Sequence, residues 1–473
     1  MNIIGRNKEQ NKLERLVSSK KPEFLVLYGR RRIGKTYLIK NYFKEEFSFY
    51  STGVKNIKLR DELKIFYTSL QRYGCKSKHA PKDWFEAFGL LEELLESDTV
   101  KRVTSQRKRV IFLDEIPWMD SPKSNFKAAL DYFWNSYAST KDDLLLIVCG
   151  SATSWIIDNI TSDKGGFYNR VTEKMQLFPF SLKECEEFLT SNNIDWSKKT
   201  IMECYMAFGG IPFYLNLIEG SLSLHQNINN LLFVEGGSLY YEYDNLMSSL
   251  FKNHELHNKI IAVLGKHHNG VLRNDLINSY HLQDGAPLTK ALKELEECGF
   301  VRKYTNYLKN KNESLYQLID PFTLFCIEFK DKNTVSNWLS NINTPKYHNW
   351  CGYAFEILVL NHIKQIKDYL GISGVESNQF AYISKGKDKG AQIDLVIDRK
   401  DGVINLCETK YTNDNFAIDK EYSEKIQNKL NAFSLDSKSK SALLITFITS
   451  DKIKQNEYSN ICNINIVGAD LFR

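Results

Sequence analysis

The sequence predicts an α/β protein built from several domains, on three observations. Short apolar runs alternate with amphipathic stretches across residues 1–180, the pattern of a parallel sheet covered by helices. A glycine loop, Gly29-Arg30-Arg31-Arg32-Ile33-Gly34-Lys35-Thr36, follows the first of those runs. Far downstream, Asp394 and Glu408-Thr409-Lys410 lie on two apolar runs joined by Asp401-Gly402, the pattern of a hairpin.

Phe24-Leu25-Val26-Leu27-Tyr28 reads as a buried strand, and residues 36–43 after the loop read as a helix. Further strands are expected at 47–51, 110–115 and 144–149, with a weaker one at 175–177. Together they predict a doubly wound domain over residues 1–180. The strand signal then stops. Residues 181–250 read as a helical segment opened by the capping pattern Ser181-Leu182-Lys183-Glu184. Helices at 256–264, 273–277 and 288–298, followed by Gly299-Phe300-Val301, predict a winged helix over residues 251–340. A polar break, Asn341-Ile342-Asn343-Thr344-Pro345, precedes a last α/β unit, residues 346–473.

The length of 473 residues allows about three domains. Aromatic residues make up 13%, enough to build large cores rather than a disordered chain. A net charge of +6 permits contact with nucleic acid without demanding it. The nine cysteines are scattered, with no CxxC and no close Cys/His set, as expected for reduced thiols in a cytoplasm. The polar start Met1-Asn2-Ile3-Ile4-Gly5-Arg6 is no signal peptide. No apolar run approaches the ~20 residues needed to cross a bilayer, so no membrane association is expected.

The glycine loop has the spacing GxxxxGK[ST] between a strand and a helix, the context a phosphate-binding loop requires. Its backbone N–H groups can turn inward around phosphates. Lys35 would reach the β- and γ-phosphates, and Thr36 would hold Mg²⁺ through its hydroxyl. Asp114-Glu115 ends the third strand. Asp114 would hold Mg²⁺ through water, and Glu115 would polarise the attacking water. Ser151, at the end of the next strand, is placed to sense the γ-phosphate or simply to cap the following helix. On these residues, 1–340 resemble the archaeal-type ATPases of the STAND-like branch of AAA+ proteins. Ile4-Gly5-Arg6-Asn7-Lys8-Glu9 resembles that family's adenine-side motif. The arginine triplet Arg30-Arg31-Arg32 resembles its loop, and Gly209-Gly210-Ile211-Pro212 its lid motif. The resemblance implies ATP with Mg²⁺ as ligands, Gly5, Arg6, Ile33 and Pro212 beside the nucleotide, and Arg170 as a candidate arginine finger. A finger acts across a subunit boundary and so implies a homo-oligomer.

In the predicted hairpin, reflection about the turn brings Asp394 opposite the Cys407–Glu408 region, and Glu408 shares a face with Lys410. Close carboxylates raise one another's pKa unless a cation lies between them. Mg²⁺ or Mn²⁺ is the natural cation for such oxygens. Upstream, Glu356 sits on one helical stripe with Val359, Leu360 and Ile363, where a carboxylate needs a partner or a metal. This order of helix Glu, strand Asp and Glu-x-Lys resembles the PD-(D/E)XK nucleases, with Ile393 where many members carry Pro. It also resembles a domain of unknown function that often follows archaeal-type ATPase modules. The resemblance implies a restriction-endonuclease-like fold, with Glu356, Asp394 and Glu408 as metal ligands and Lys410 as a catalytic cation.

The expectation is an ATPase with helical lid, winged-helix connector and nuclease-like tail that couples nucleotide state to cleavage of nucleic acid, DNA in preference to RNA. Two alternatives stay open. One is a nucleotide-driven switch or scaffold whose tail is inactive. The other is a regulator that binds DNA through its winged helix, whose 288–298 helix carries Lys290 and Lys293 but also Glu294, Glu296 and Glu297.

Overall fold

Consecutive apolar residues are satisfied in a strand only when both of its faces are covered. In the computed structural model, which describes residues 3–103, 108–161, 167, 169–251, 254–308, 314–330, 338–384 and 391–473, such runs build the first sheet. Its strands are β1 (Glu23–Tyr28), β2 (Phe49–Thr52), β3 (Arg109–Asp114), β4 (Leu144–Gly150) and β5 (Glu173–Gln176). They pair in parallel in the order β2-β3-β4-β1-β5. β3 and β4 are buried along their whole length, and Phe24, Phe49, Phe88, Phe126, Phe133 and Trp84 fill the space against the flanking helices. Each such ring contributes roughly 1.5–3 kcal/mol by leaving water. The carboxyl ends of β1, β3 and β4 are neighbours, which is where an open parallel sheet presents its ligand site.

Contacts divide the chain into two compact units, Met1–Phe178 and Pro179–Arg473. The second unit opens with the helices Leu182–Ser191 and Lys198–Phe208. Ser181 caps the first with the reciprocal Ser–Glu184 bonds that the sequence pattern promises. Helices Glu255–Leu264, Arg273–Asn278 and Ala286–Glu297 follow, with a small sheet of β6 (Val271–Leu272), β7 (Val301–Thr305) and β8 (Ser314–Leu318) in the order β6-β8-β7. The larger sheet comprises β9 (Ser377–Ile383), β10 (Gln392–Arg399), β11 (Val403–Lys410), β12 (Ala442–Thr449) and β13 (Ile464–Val467), ordered β13-β12-β11-β10-β9. β9, β10 and β11 are antiparallel neighbours, whereas β11, β12 and β13 run parallel. Helix Lys420–Ser437 packs its Ile426 and Phe433 into the core of this sheet with Val396, Ile404 and Leu406.

One expectation is corrected. The stripe through Glu356 does not reach Ile363. The helix Pro345–Asn361 stops at His362, whose backbone leaves helical geometry, and Ile363 begins a new helix, Ile363–Tyr369. The His362 ring bonds the Leu358 carbonyl through Nδ1 at 2.8 Å and accepts the Leu182 N–H on Nε2 at 3.0 Å. Burial pushes that imidazole down to about 4, so it stays neutral and able to accept. All nine cysteines are free thiols. No helix among the described residues is long and apolar enough to cross a membrane.

Candidate functional site

Residues from three strand ends meet at the glycine loop. Gly29 has φ +141°, and a Cβ there would lie 2.4 Å from the Leu177 carbonyl oxygen, so only glycine fits. Gly34 (φ 88°) stands at the start of helix Lys35–Tyr42, and Arg32 is left-handed at φ 71°. Lys35 Nζ donates to the carbonyls of Gly29 (2.8 Å) and Arg30 (2.9 Å). The loop therefore holds its own cation over the place where phosphates would enter. Arg6, itself left-handed (φ 57°) and buried, donates Nη2 to the Ile33 carbonyl at 3.1 Å. Gln10 Nε2 ties down the Gly5 carbonyl at 2.8 Å. The N-terminal motif thus braces the loop from behind.

Thr36 Oγ1 donates to Asp114 Oδ2 at 2.8 Å. Two hard oxygen donors side by side at the head of the loop suit Mg²⁺. Asp114 Oδ1 accepts from the Cys149 thiol (2.7 Å) and the Glu115 N–H (3.1 Å). Burial and the two carboxylates push the Cys149 thiol well up, so it remains a protonated donor. Glu115 has φ 51°, a strained conformation for a residue with a side chain. Its Oε2 accepts the Ser151 N–H (3.1 Å) and hydroxyl (2.9 Å). Ser151 thus orients Glu115. A residue missed in the sequence is Gly53. A Cβ there would lie 2.5 Å from the Glu115 carbonyl oxygen, and its N–H donates to the Asp114 carbonyl at 2.9 Å. Arg170, the candidate finger, pairs with Asp131 within its own unit.

Residues 3–218 match the family described as an ATPase domain predominantly from Archaea. This part of the chain is an archaeal-type ATPase domain. Such a domain binds and hydrolyses ATP, typically with Mg²⁺. An uncharacterized protein of Methanocaldococcus jannaschii is 25% identical over 407 residues, 83% of this chain and 84% of its own length. An uncharacterized ATP-binding protein of the same organism is 42% identical over 44 residues, 9% of this chain and 75% of its own. Among solved structures, a Walker-type ATPase of Pyrococcus abyssi is similar at 19% identity and TM-score 0.47, over 69% of this chain and 96% of that one. The archaeal-type ATPase match ends beyond Pro212, which stands at the first position of helix Pro212–Leu215 in the second unit.

The acidic residues downstream of the ATPase domain assemble in the second unit. Leu395 pairs with Cys407 across the hairpin, which sets Asp394 level with Glu408 as the turn reflection implies. Burial first, then Asp394 and Glu408, push the Glu356 carboxyl up to about 8, against opposing pulls from Lys410 and Lys429. The three carboxylates share one electrostatic neighbourhood. They do not close on a point: among the described residues no trio of acidic, His or Cys side chains reaches metal-holding geometry. Glu408 already has partners on both oxygens. Its Oε1 accepts the Tyr422 hydroxyl at 2.5 Å, and its Oε2 takes the Lys429 ammonium at 2.7 Å. Lys410 lies 3.7 Å from Glu408 and 5.0 Å from the Tyr422 ring centroid. Asp394 accepts from Gln392 Nε2 at 2.7 Å. The donors are of the type Mg²⁺ or Mn²⁺ prefers, but a cation at Glu408 must first displace Lys429.

Three residues of this cluster escaped the sequence reading. Tyr422 and Lys429 share the stripe of helix Lys420–Ser437 that carries buried Ile426 and Phe433. A lysine on an apolar stripe is the same kind of signal that singled out Glu356. Arg302, on β7, lies within charge range of Asp394 and Glu356 and donates Nε to Gln317 at 2.6 Å. No local pattern marks it. His267 bonds the Tyr280 hydroxyl, and His268 stacks on Tyr353 at 3.7 Å.

Proposed function

We propose that this protein is an ATPase whose nucleotide state controls divalent-metal-dependent cleavage of nucleic acid, DNA in preference to RNA, at Glu356, Asp394, Glu408 and Lys410. The observation that carries it is the hairpin register that sets Asp394 level with Glu408, two residues before Lys410, with Glu356 close enough for both carboxylates to raise its own. A buried acidic cluster in that state is costly to the fold and is relieved by a divalent cation. In this reading Lys35 binds the β- and γ-phosphates, Thr36 and Asp114 hold Mg²⁺, and Glu115, turned by Ser151, takes the proton of the attacking water on its carboxylate. Gly5, Arg6, Gly29, Arg30, Arg31, Arg32, Ile33 and Gly34 surround the nucleotide, and Arg170 leaves Asp131 to act in a neighbouring copy. Downstream, Glu356, Asp394 and Glu408 would hold Mg²⁺ or Mn²⁺ once Lys429 has given way, and the cation would supply charge stabilisation at the scissile phosphate. Lys410 adds its ammonium to that charge.

The order of the tail supports a restriction-endonuclease-like domain over residues 346–473: a helix with Glu356, a strand with Asp394, a strand with Glu408-x-Lys410. Three short helices around β6-β8-β7 likewise support a winged helix at 251–340, after a lid at 181–250. Its Lys290 and Lys293 face Glu294 and Glu297 on the same helix, a poor surface for reading DNA. One observation favours a second reading, the switch with an inactive tail: Lys429 and Tyr422 already satisfy both oxygens of Glu408. The experiment is Glu408→Ala assayed on DNA and RNA with Mg²⁺ or Mn²⁺. Cleavage by the wild type that is lost in the variant, with ATP hydrolysis intact, supports the nuclease. No cleavage by either leaves the switch.

A further inference from the structure

The positive charge of this chain is gathered on one stretch of the first unit. The net charge of the whole chain is +6. Residues 55–82 hold eight Lys and Arg against two acids, Asp61 and Glu62, so this stretch alone carries an excess as large as that of the chain. It runs from the loop after β2 through the helix Leu59–Arg72 to Lys82, and all eight cations are exposed. Glu62 is buried instead, with Oε2 accepting the Val54 N–H at 3.3 Å. Leu63, Phe66 and Leu70 bury the same side of the helix. Arg60, Lys64 and Arg72, spaced at multiples of four residues, lie on the opposite side. The Tyr67 hydroxyl donates to the Ser77 carbonyl at 2.8 Å, which holds the chain at Lys76 and Lys78 beside this helix.

Other cations of the first unit are neutralised nearby: Lys12 and Arg15 by Glu173, Arg102 and Arg109 by Asp143, Lys141 by Glu96. Lys64, Arg72, Lys76 and Lys78 form no ion pair among the described residues. Like charges left together in this way repel one another, and a polyanion relieves that repulsion. The surface also has a recess. β2 is the edge strand of its sheet, and a cleft of about 470 Å³ lies between it and the helix. Lys64, Thr68 and Arg72 of the helix and Tyr50, Ser51 and Thr52 of the strand line it, and no carboxylate does. The Ser51 hydroxyl is buried with no partner among the described residues. Hydroxyls beside Lys and Arg are the donors that phosphate oxygens take. We propose that this face of the ATPase domain, centred on Lys64 and Arg72 and extended by Lys76 and Lys78, docks the sugar–phosphate backbone of DNA. The proposal rests on the reading above only for the class of partner. Lys64 and Arg72 stand eight residues apart, about 12 Å along the helix, so they meet separate phosphates of one chain and not a single anion. Contacts of this kind hold the nucleic acid without reading its bases.

The test is fluorescence anisotropy of a labelled DNA duplex with the full chain, in EDTA so that metal-dependent cleavage plays no part. If the four lysine and arginine side chains each neutralise one phosphate, affinity should fall about a hundredfold between about 50 and 200 mM salt. Lys64→Gln combined with Arg72→Gln should lower the slope of log affinity against log salt by about two and weaken binding at least about tenfold at the lowest salt. ATP hydrolysis without DNA should stay at the wild-type rate, which shows the double variant folded. Lys64→Arg should keep the wild-type slope. Lys290→Gln combined with Lys293→Gln, on the helix where both lysines face glutamates, should change neither slope nor affinity. A wild type that binds no DNA overturns the proposal, as does a slope that survives the loss of Lys64 and Arg72. Displacement of the DNA by polyglutamate at equal charge concentration also overturns it and assigns the face to an acidic protein segment. Glu408→Ala should bind as the wild type does. DNA that is held through Lys64 and Arg72 but never cut with Mg²⁺ or Mn²⁺ removes the nuclease and leaves the docking face standing.

Discussion

The two charged sites of this chain solve the same problem in opposite ways. At the glycine loop the polar groups are held by near neighbours: Lys35 by two carbonyls of its own loop, Thr36 by Asp114, Glu115 by Ser151 at the next strand end. In the acidic cluster the compensation comes from elsewhere in the fold, with Lys429 and Tyr422 on the following helix and Arg302 on β7. The first arrangement is a cradle held open for a ligand. The second is a set of carboxylates with a lysine standing where a metal would. The difference teaches that a conserved-looking spacing is not enough to tell a loaded site from a neutralised one. What decides is which groups share the charge.

Two lysines test that contrast most directly. Lys35→Ala should leave the fold intact and reduce ATP hydrolysis by about 10²–10³, the usual loss when a charge-stabilising group is removed; steady-state phosphate release reads it. Lys429→Ala should do the reverse. It strips Glu408 of a partner in a pair whose side chains are only 15% and 11% exposed. Breaking a buried pair costs about 3–5 kcal/mol, and the lower end applies here because water still reaches both groups. Urea midpoints in EDTA should therefore fall sharply while ATP hydrolysis holds. Equal stability in both variants would erase the distinction between cradle and counter-ion.

The same contrast explains what could be read in advance. The glycine loop, Asp114-Glu115 and the strands behind them each carry a local signal of their own, a period, a glycine or a strand end. The hairpin was equally legible, since reflection about Asp401-Gly402 needs only the two-residue period of strands. What escaped was whatever belongs to no motif of its own. Lys429 is 21 residues from Glu408 and Arg302 lies beyond β9 on another sheet, so no spacing rule links them to the cluster. Gly53 escaped because its role is a close approach to Glu115, which only the packed sheet reveals. The break at His362 escaped because an apolar stripe continues through it. At that break the His362 side chain bonds Leu182, 180 residues away.

Acidity sharpens the comparison further. The Glu356 carboxyl is raised from 4.5 to about 8, so the folded chain holds that proton more tightly than the unfolded chain does. Its contribution is complete below the unfolded value and is lost as pH rises through the folded one. Without divalent metal, stability of the second unit should decline between about pH 5 and 8 by up to about 1.4 kcal/mol per unit. Glu356→Gln should flatten the decline. A wild type whose urea midpoint is level across that window would show the carboxylates too well neutralised by Lys410, Lys429 and Arg302 to need a cation, which favours the inactive tail.

The smallest expected effect lies behind the glycine loop. Arg6 reaches the loop by donating Nη2 to the Ile33 carbonyl. A hydrogen bond from a charged donor to a neutral carbonyl contributes about 1.5 kcal/mol when its loss leaves the carbonyl buried. Arg6→Ala should therefore loosen the cradle without touching Glu115 or Lys35. The expected result is a KM for ATP raised about tenfold with kcat within a factor of two. A fall in kcat at unchanged KM would place Arg6 among the groups that act on the reacting phosphate. The loop would then, like the acidic cluster, depend on a charge brought in from outside its own motif.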